Sequence, residues 1–145
     1  CILALESGKS EDVVIVDDNA TSAYGSGIYI EVGEEIKLKD LLYGLMLRSG
    51  NDAASMIAAY VSGSIEEFVK LMNNKAKELG MKNTIFYTPS GLPTPHGNLS
   101  SVYDMAILTR YAMQNKEYRE IVSTKAATLI VFFIRFELYC LIYQI

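Results

Sequence analysis

Between Asp12 and Asp40 apolar and polar residues alternate, in "DVVIVDD" and "GIYIEVGEEIKLKD", around turns rich in Gly and Asp. A period of two sends successive side chains to opposite faces of an extended chain, so a small β region is expected here. From Leu38 the period lengthens. Leu38, Leu41, Leu42, Leu45 and Met46 fall on one helical face, and Arg48 stands in the last turn, where a cation suits the helix dipole. Gly50 is expected to end this helix and Asn51 or Asp52 to cap the next one. There "AASMIAAYV" is apolar almost all round and should be buried on every side. A third helix is marked by Ser64 and Glu67 at capping-box spacing, by the stripe Phe68, Leu71 and Met72, and by Gly80 as a left-handed stop.

The stretch from Asn83 to Leu99 holds Pro89, Pro93, Pro95, Gly91 and Gly97, so backbone geometry rather than burial sets its path. Ser100 or Ser101 is expected to cap a fourth helix over about Val102 to Gln114, and "EYREIV" reads as a short helical run. The start, "CILALESGK", has the pattern of a helix already under way, which suggests that something precedes it. The last twenty residues, "AATLIVFFIRFELYCLIYQI", are apolar, β-branched and aromatic, with Arg135 and Glu137 as their only charges. Three readings stay open for them: a membrane span, a buried strand pair, or a tail foreign to the native fold. Against a span, Arg and Glu at its centre would each cost about 2.5 to 3.5 kcal/mol.

Composition narrows the function classes. The chain has 145 residues, half of them hydrophobic, and a net charge of -4. That length suits one domain with a real core. No Lys/Arg cluster is present, so the attraction that drives nucleic-acid binding has no source and nucleic acid is set aside. Cys1 and Cys140 lie at opposite ends and the single histidine, His96, sits in a loop far from both, which argues against a zinc site and for two unrelated buried thiols.

Taken alone, Ser49-Gly50-Asn51 is what any helix-to-helix turn would use. His96 reads as a solvated loop histidine, Asp104 as support for a helix N-terminus, and Glu66 and Glu67 as first-turn carboxylates. Tyr24, Tyr29 and Tyr103 are expected to pack half-buried.

The surrounding text changes the weight of that turn. "LLYGLMLRSGNDAA", "VSGSIEEFVKLMNNKAKELGMKNTIFYTPSGL" and "SSVYDMAILTRYA" together resemble the serine-type D-alanyl-D-alanine carboxypeptidases, the low-molecular-weight penicillin-binding proteins, from Cys1 to about Lys125. The resemblance implies a mixed α/β fold of the penicillin-binding-protein or serine β-lactamase type, with this chain supplying mostly the helical lobe and a small β region. It divides the chain into a partial carboxypeptidase domain, 1–125, and an atypical apolar tail, 126–145. The family uses three motifs, S-x-x-K, S-x-N and K-T-G, that converge on one cleft. Ser49-Gly50-Asn51 matches the second.

By that resemblance Ser49 and Asn51 are the expected catalytic residues, and Ser49, Gly50 and Asn51 the expected substrate-binding ones. Ser49 would relay a proton toward the leaving D-alanine nitrogen, Asn51 would hold the substrate carbonyl, and Gly50 would let the backbone pass the cleft without a Cβ. The substrate would be the peptidoglycan pentapeptide. β-Lactams would bind the complete parent protein, no metal or organic cofactor is implied, and the location would be extracytoplasmic, with membrane association only through segments outside this chain.

The departures are specific. No serine here is followed three positions later by lysine, and Lys-Thr-Gly does not occur. The family places S-x-x-K just before text like "CILALE" and its third motif on a strand beyond Lys125, where the tail does not align. Where the family tends to place a small polar residue or His, this chain has Asn98. The chain alone is therefore expected to be inactive. A truncated, noncatalytic remnant is the alternative, and a membrane-anchored helical protein rests on the tail alone. A β-lactamase would need a hydrolytic glutamate that "NTIFYTPSGLPTPHGN" lacks.

Overall fold

The computed structural model of this chain describes residues 1–21, 23–93, 95–131 and 134–139, the side chains from 128 onward excepted. In chain order the elements are α1 (Ile2–Glu6), β1 (Val13–Ile15), α2 (Asp18–Thr21), β2 (Glu35–Lys37), α3 (Leu38–Arg48), α4 (Asn51–Ser62), α5 (Ile65–Glu78), α6 (Val102–Ala112), α7 (Lys116–Ser123), β3 (Ala126–Val131) and β4 (Ile134–Tyr139). β1 and β2 pair antiparallel with Val14 opposite Ile36, and β3 and β4 form a second antiparallel pair with Ala126 opposite Tyr139. The mixed, mainly helical architecture agrees with the expected fold class.

The core centres on α3 and α4. Leu38, Leu41 and Leu42 of α3 and Ala53, Met56 and Ile57 of α4 are buried, against Val14 and Ile36 from the strands, Ala4 and Leu5 of α1, and Ile121 of α7. The first eight residues of α4 are all buried, as expected of a helix without a polar face, whereas Ala59, Tyr60 and Val61 at the end of the same apolar stretch are only half-buried. α3 packs on α4 and on the β3–β4 hairpin, so the tail's strand-pair reading holds at the backbone level. Cys1 is a free, half-buried thiol, whereas Cys140 lies outside the described residues. Among the described residues no helix is long and apolar enough to cross a membrane.

Several expectations need correction. The alternating segment yields only two strands of three residues, and Gly27–Glu31 is not a strand. The Ile28 and Tyr29 N–H groups bond instead to the Asp52 carboxylate, which takes the place of a neighbouring strand. The Asp17 carboxylate accepts from the Asn19 N–H at 2.9 Å and starts the short α2 inside this same stretch. Ser64 does cap α5 by accepting from the Glu67 N–H at 3.1 Å, but the Glu67 carboxylate turns to Lys70 instead of completing the box. Leu71 is exposed, so the buried stripe of α5 runs through Phe68 and Ala76. The cap of α6 needs no correction: of the two serines expected there, Ser101 serves, accepting from the Asp104 N–H at 3.1 Å.

Polar contacts through Tyr111 join α6 to α1 and α5. Lys75 of α5 reaches Glu6 of α1 at 3.3 Å, Glu78 at 3.0 Å and the Tyr111 hydroxyl of α6 at 3.4 Å. Tyr103 stands 74 % exposed, against the half-buried packing expected of it.

Where α3 passes the 25–30 loop, a Cβ on Gly44 would lie 2.7 Å from Ile28 Cδ1 and 3.0 Å from its Cγ2. Both neighbours are buried, so Ile28 has little room to give. Gly44→Ala is expected to cost about 1–3 kcal/mol by overpacking. Ile28→Val, which removes the nearer atom, should recover part of that loss in the double variant, as measured by thermal unfolding.

Candidate functional site

α3 ends at Arg48, and the next residue, Ser49, takes the left-handed conformation with φ 54° and ψ 40°. The residue that turns the chain is therefore Ser49, whereas Gly50 sits extended at φ -65° and ψ 108° as the N-cap of α4. That corrects both the expected role of Gly50 as the helix stop and the expected cap at Asn51 or Asp52; Asn51 is already the first helical residue. Gly50 is required by packing inside the turn. A Cβ there would meet Asp52 Oδ1 at 3.1 Å, Ala53 Cβ and the Gly44 carbonyl oxygen, both at 3.3 Å.

The turn is laced to the loop from Tyr24 to Tyr29. The Asn51 N–H donates to the Ser26 carbonyl at 2.9 Å, Asn51 Nδ2 donates to the Tyr24 carbonyl at 2.7 Å, and Ser26 Oγ donates to the Ser49 carbonyl at 2.7 Å. Asp52 completes the join. Its carboxylate accepts from the N–H groups of Ile28 at 3.0 Å, Tyr29 at 2.7 Å and Ala53 at 2.8 Å.

Two glycines of the loop admit this approach. A Cβ on Gly27 would stand 2.9 Å from Asp52 Oδ2, and one on Gly25, which has φ +88°, would stand 3.1 Å from Asn51 Nδ2. Among the described residues only Tyr29, at φ 60°, and Ser49 are non-glycine residues with positive φ, and both belong to this joint. Such strain persists only where surrounding contacts over-determine it, and it gathers at functional sites.

The chemistry left free by this lacing is limited and definite. Ser49 is exposed, and its hydroxyl has no hydrogen-bond partner among the described residues. Asn51 is 6 % exposed and spends one amide hydrogen on Tyr24. Among the described residues its second amide hydrogen and its Oδ1 have no partner, one donor and one acceptor. Among the described residues no base touches Ser49, so the turn can orient and relay but does not by itself make a nucleophile. A hollow of about 190 Å³ lies against the 25–30 loop, lined by Gly27, Tyr29, Ile30 and Asp52 among others and by none of Ser49, Gly50 and Asn51. A second, apolar cavity of about 140 Å³ lies beside the start of α1, between Ile2, Leu3, Leu45, Ala54 and Phe68. Among the described residues no group of three His, Cys, Asp or Glu side chains could hold a metal ion.

The other residues singled out from sequence fall elsewhere. His96 is exposed and packs its ring 5.3 Å from that of Tyr87. Asp104 is buried and holds the Asn83 N–H at 2.7 Å and the Thr84 hydroxyl at 2.8 Å, so it pins the loop as well as supporting α6. Glu66 and Glu67 are exposed in the first turn of α5. Tyr24 and Tyr29 are 61 % and 70 % exposed, against the half-buried packing expected of them. Sequence reasoning missed Gly25, Ser26, Gly27 and Asp52. The available signal was "YGSGIY", two glycines within a strand-like period, a pattern that marks close backbone approach.

Comparison with known proteins places this joint in context. Residues 2–139 match the peptidase S11 family of D-alanyl-D-alanine carboxypeptidases, and the match runs through β3 and β4. The chain is 46 % identical over 123 residues to the D-alanyl-D-alanine carboxypeptidase DacF of Bacillus subtilis, covering 83 % of this chain and 31 % of that protein. With DacC of Escherichia coli it shares 45 % identity over 106 residues, 69 % of this chain and 26 % of that one.

Among solved structures, a D-alanyl-D-alanine carboxypeptidase of Mycobacterium tuberculosis superposes with a TM-score of 0.90 at 31 % identity, covering 96 % of this chain and 53 % of its own. Penicillin-binding protein 5 of Haemophilus influenzae gives 0.83 at 31 % identity, over 96 % of this chain and 41 % of that one. The chain thus spans about a third of the length of the curated relatives it matches. With the Ser49–Asn51 turn and its glycine loop both inside a match of that extent, the chain belongs to the D-alanyl-D-alanine carboxypeptidase family.

Proposed function

We propose that this chain is the S-x-N-bearing helical lobe of a serine-type D-Ala-D-Ala carboxypeptidase acting on peptidoglycan stem peptides outside the cytoplasmic membrane. Ser49 and Asn51 are its catalytic and substrate-holding residues, and Gly50 is part of the same binding turn. The observation that carries this reading is the strained turn itself. Among the described residues it leaves the exposed Ser49 hydroxyl and, on the buried Asn51, one amide hydrogen and the amide oxygen without partners, while the Ser49 carbonyl, the Asn51 N–H and the other amide hydrogen are bonded to the 24–29 loop. Ser49 relays a proton toward the leaving amine, and Asn51 donates to the substrate carbonyl.

Titration of the ¹⁵N-labelled chain with diacetyl-Lys-D-Ala-D-Ala tests it. The Asn51 side-chain amide and the Ser49 backbone amide should shift with the D,D peptide and not with its L,L counterpart. Asn51→Ala should weaken binding about tenfold, the worth of one hydrogen bond at a desolvated contact. Equal response to both stereoisomers, or undiminished binding by Asn51→Ala, would sink the assignment. A noncatalytic role for the isolated chain is the second reading, favoured by the absence of S-x-x-K and K-T-G from its sequence.

A further inference from the structure

We infer that Asp52 is the positioning residue of this site, the group that locks the Tyr24–Tyr29 loop and the Ser49–Asn51 turn into one unit and thereby aims the Asn51 amide. The inference rests on the reading of Asn51 given above and adds a residue that the S-x-N motif does not contain.

Asp52 is 8 % exposed and enters no ion pair among the described residues. A carboxylate withdrawn from water in this way must be repaid by hydrogen bonds. Three backbone N–H groups supply them. Ile28 N–H lies 3.1 and 3.0 Å from the two oxygens, Tyr29 N–H lies 2.7 Å from Oδ2, and Ala53 N–H lies 2.8 Å from Oδ1. The first turn of α4 adds its dipole, which favours an anion at that end.

Local strain follows from this arrangement. To aim its N–H at Oδ2, Tyr29 adopts φ 60°, and Gly27 must lack a Cβ, since one would stand 2.9 Å from the same oxygen. At the other end of the loop the Tyr24 carbonyl takes the Asn51 amide hydrogen, and the Ser26 carbonyl takes the Asn51 N–H. The circuit is closed: Asp52 holds one end of the loop, and the loop holds Asn51. Asparagine at position 52 would preserve shape but present an NH₂ group to N–H donors. Glutamate would be one methylene too long for the space beside Gly27.

The test uses the ¹⁵N-labelled chain and two variants, Asp52→Asn and Gly27→Ala. In Asp52→Asn the Ile28 and Tyr29 amides should exchange with solvent at least about tenfold faster, while α5 amides such as Phe68 keep their protection. The Asn51 side-chain resonances should shift, and affinity for diacetyl-Lys-D-Ala-D-Ala should fall about tenfold with Ser49 and Asn51 both intact. A role in general stability alone would speed exchange throughout the chain and leave that affinity unchanged well below the unfolding temperature.

Wild-type exchange at Ile28 and Tyr29 together with an unmoved Asn51 resonance would overturn the inference. So would undiminished affinity in a variant whose loop is released. Should Asp52→Asn not fold, Gly27→Ala must by itself release the loop and shift Asn51, and wild-type behaviour there would overturn the proposal equally. If the wild-type chain binds no D,D peptide, the carboxypeptidase reading fails, and the exchange rates and the Asn51 resonance still decide the role of Asp52.

Discussion

Incubated with a fluorescent penicillin, the purified chain is expected to gain no covalent mass. Acylation needs a serine whose proton is taken by a nearby base, and none of the serines has a lysine three positions on. Ser49, the exposed hydroxyl of the site, touches no base among the described residues. The lysines whose acidity the fold changes are shifted the wrong way for a base. Burial works against the charge of Lys75, but hydrogen bonds to Glu78, Tyr111 and Glu6 outweigh it and hold the ammonium above the ordinary lysine range. Lys37 is likewise raised, by its hydrogen bond to Glu11. Removing the nucleophile of a serine hydrolase lowers turnover by about six orders of magnitude, so labelling should sit at the level of a heat-denatured control. A stoichiometric adduct, located by peptide mass mapping, would show that some hydroxyl of this chain is activated and would refute the claim.

The helices were legible because their apolar residues recur with one period over several turns. Leu38, Leu41 and Leu42 identify α3 and its buried face, and Ser64 with Gly80 brackets α5 within a residue or two. The loop from Gly25 to Tyr29 was not legible, although its alternation of Gly, Ile and Tyr has the period of a strand. That period reports which side chains are buried, and Ile28 and Ile30 are indeed buried while Tyr29 is exposed. It does not report where the backbone N–H groups go. Here they go to a carboxylate two dozen residues away, an acceptor that no local pattern announces.

The same limit explains the turn. Gly50 carried the sequence signal for a left-handed residue, yet Ser49 takes that conformation, because the Gly50 N–H returns to the Gly44 carbonyl at 3.2 Å and Ala53 crowds the space a Cβ would need. The motif residues could be named from the family's text, whereas the groups that brace them required the contacts.

Asp104→Ala is expected to cost the chain about 2–4 kcal/mol, a large share of the roughly 5–15 kcal/mol that holds a domain of this size together. The side chain is 1 % exposed, and a single oxygen, Oδ2, accepts both the Asn83 N–H at 2.7 Å and the Thr84 hydroxyl at 2.8 Å. Alanine leaves the part-buried Asn83 N–H without this partner, at about 1–3 kcal/mol, and leaves the Thr84 hydroxyl with Ser100 Oγ alone, at 2.9 Å, losing about 1 kcal/mol more.

Asp104→Asn separates geometry from charge, since its carboxamide oxygen can occupy the Oδ2 position and keep both bonds; only charge assistance is lost, about 1 kcal/mol. Urea unfolding followed by circular dichroism should therefore rank wild type above Asp104→Asn and Asp104→Asn well above Asp104→Ala, at constant slope. An alanine variant within about 1 kcal/mol of wild type would mean that water reaches these donors. The consequence extends past stability. Asn83 and Thr84 lead directly into the Ile85–Leu99 bridge, the only backbone pairing that closes the base of the proline-rich loop among the described residues. Losing the clamp at its entrance frees that loop before it unfolds the helices, and proteolysis within residues 85–99 should rise in Asp104→Ala at urea concentrations where α5 is still intact.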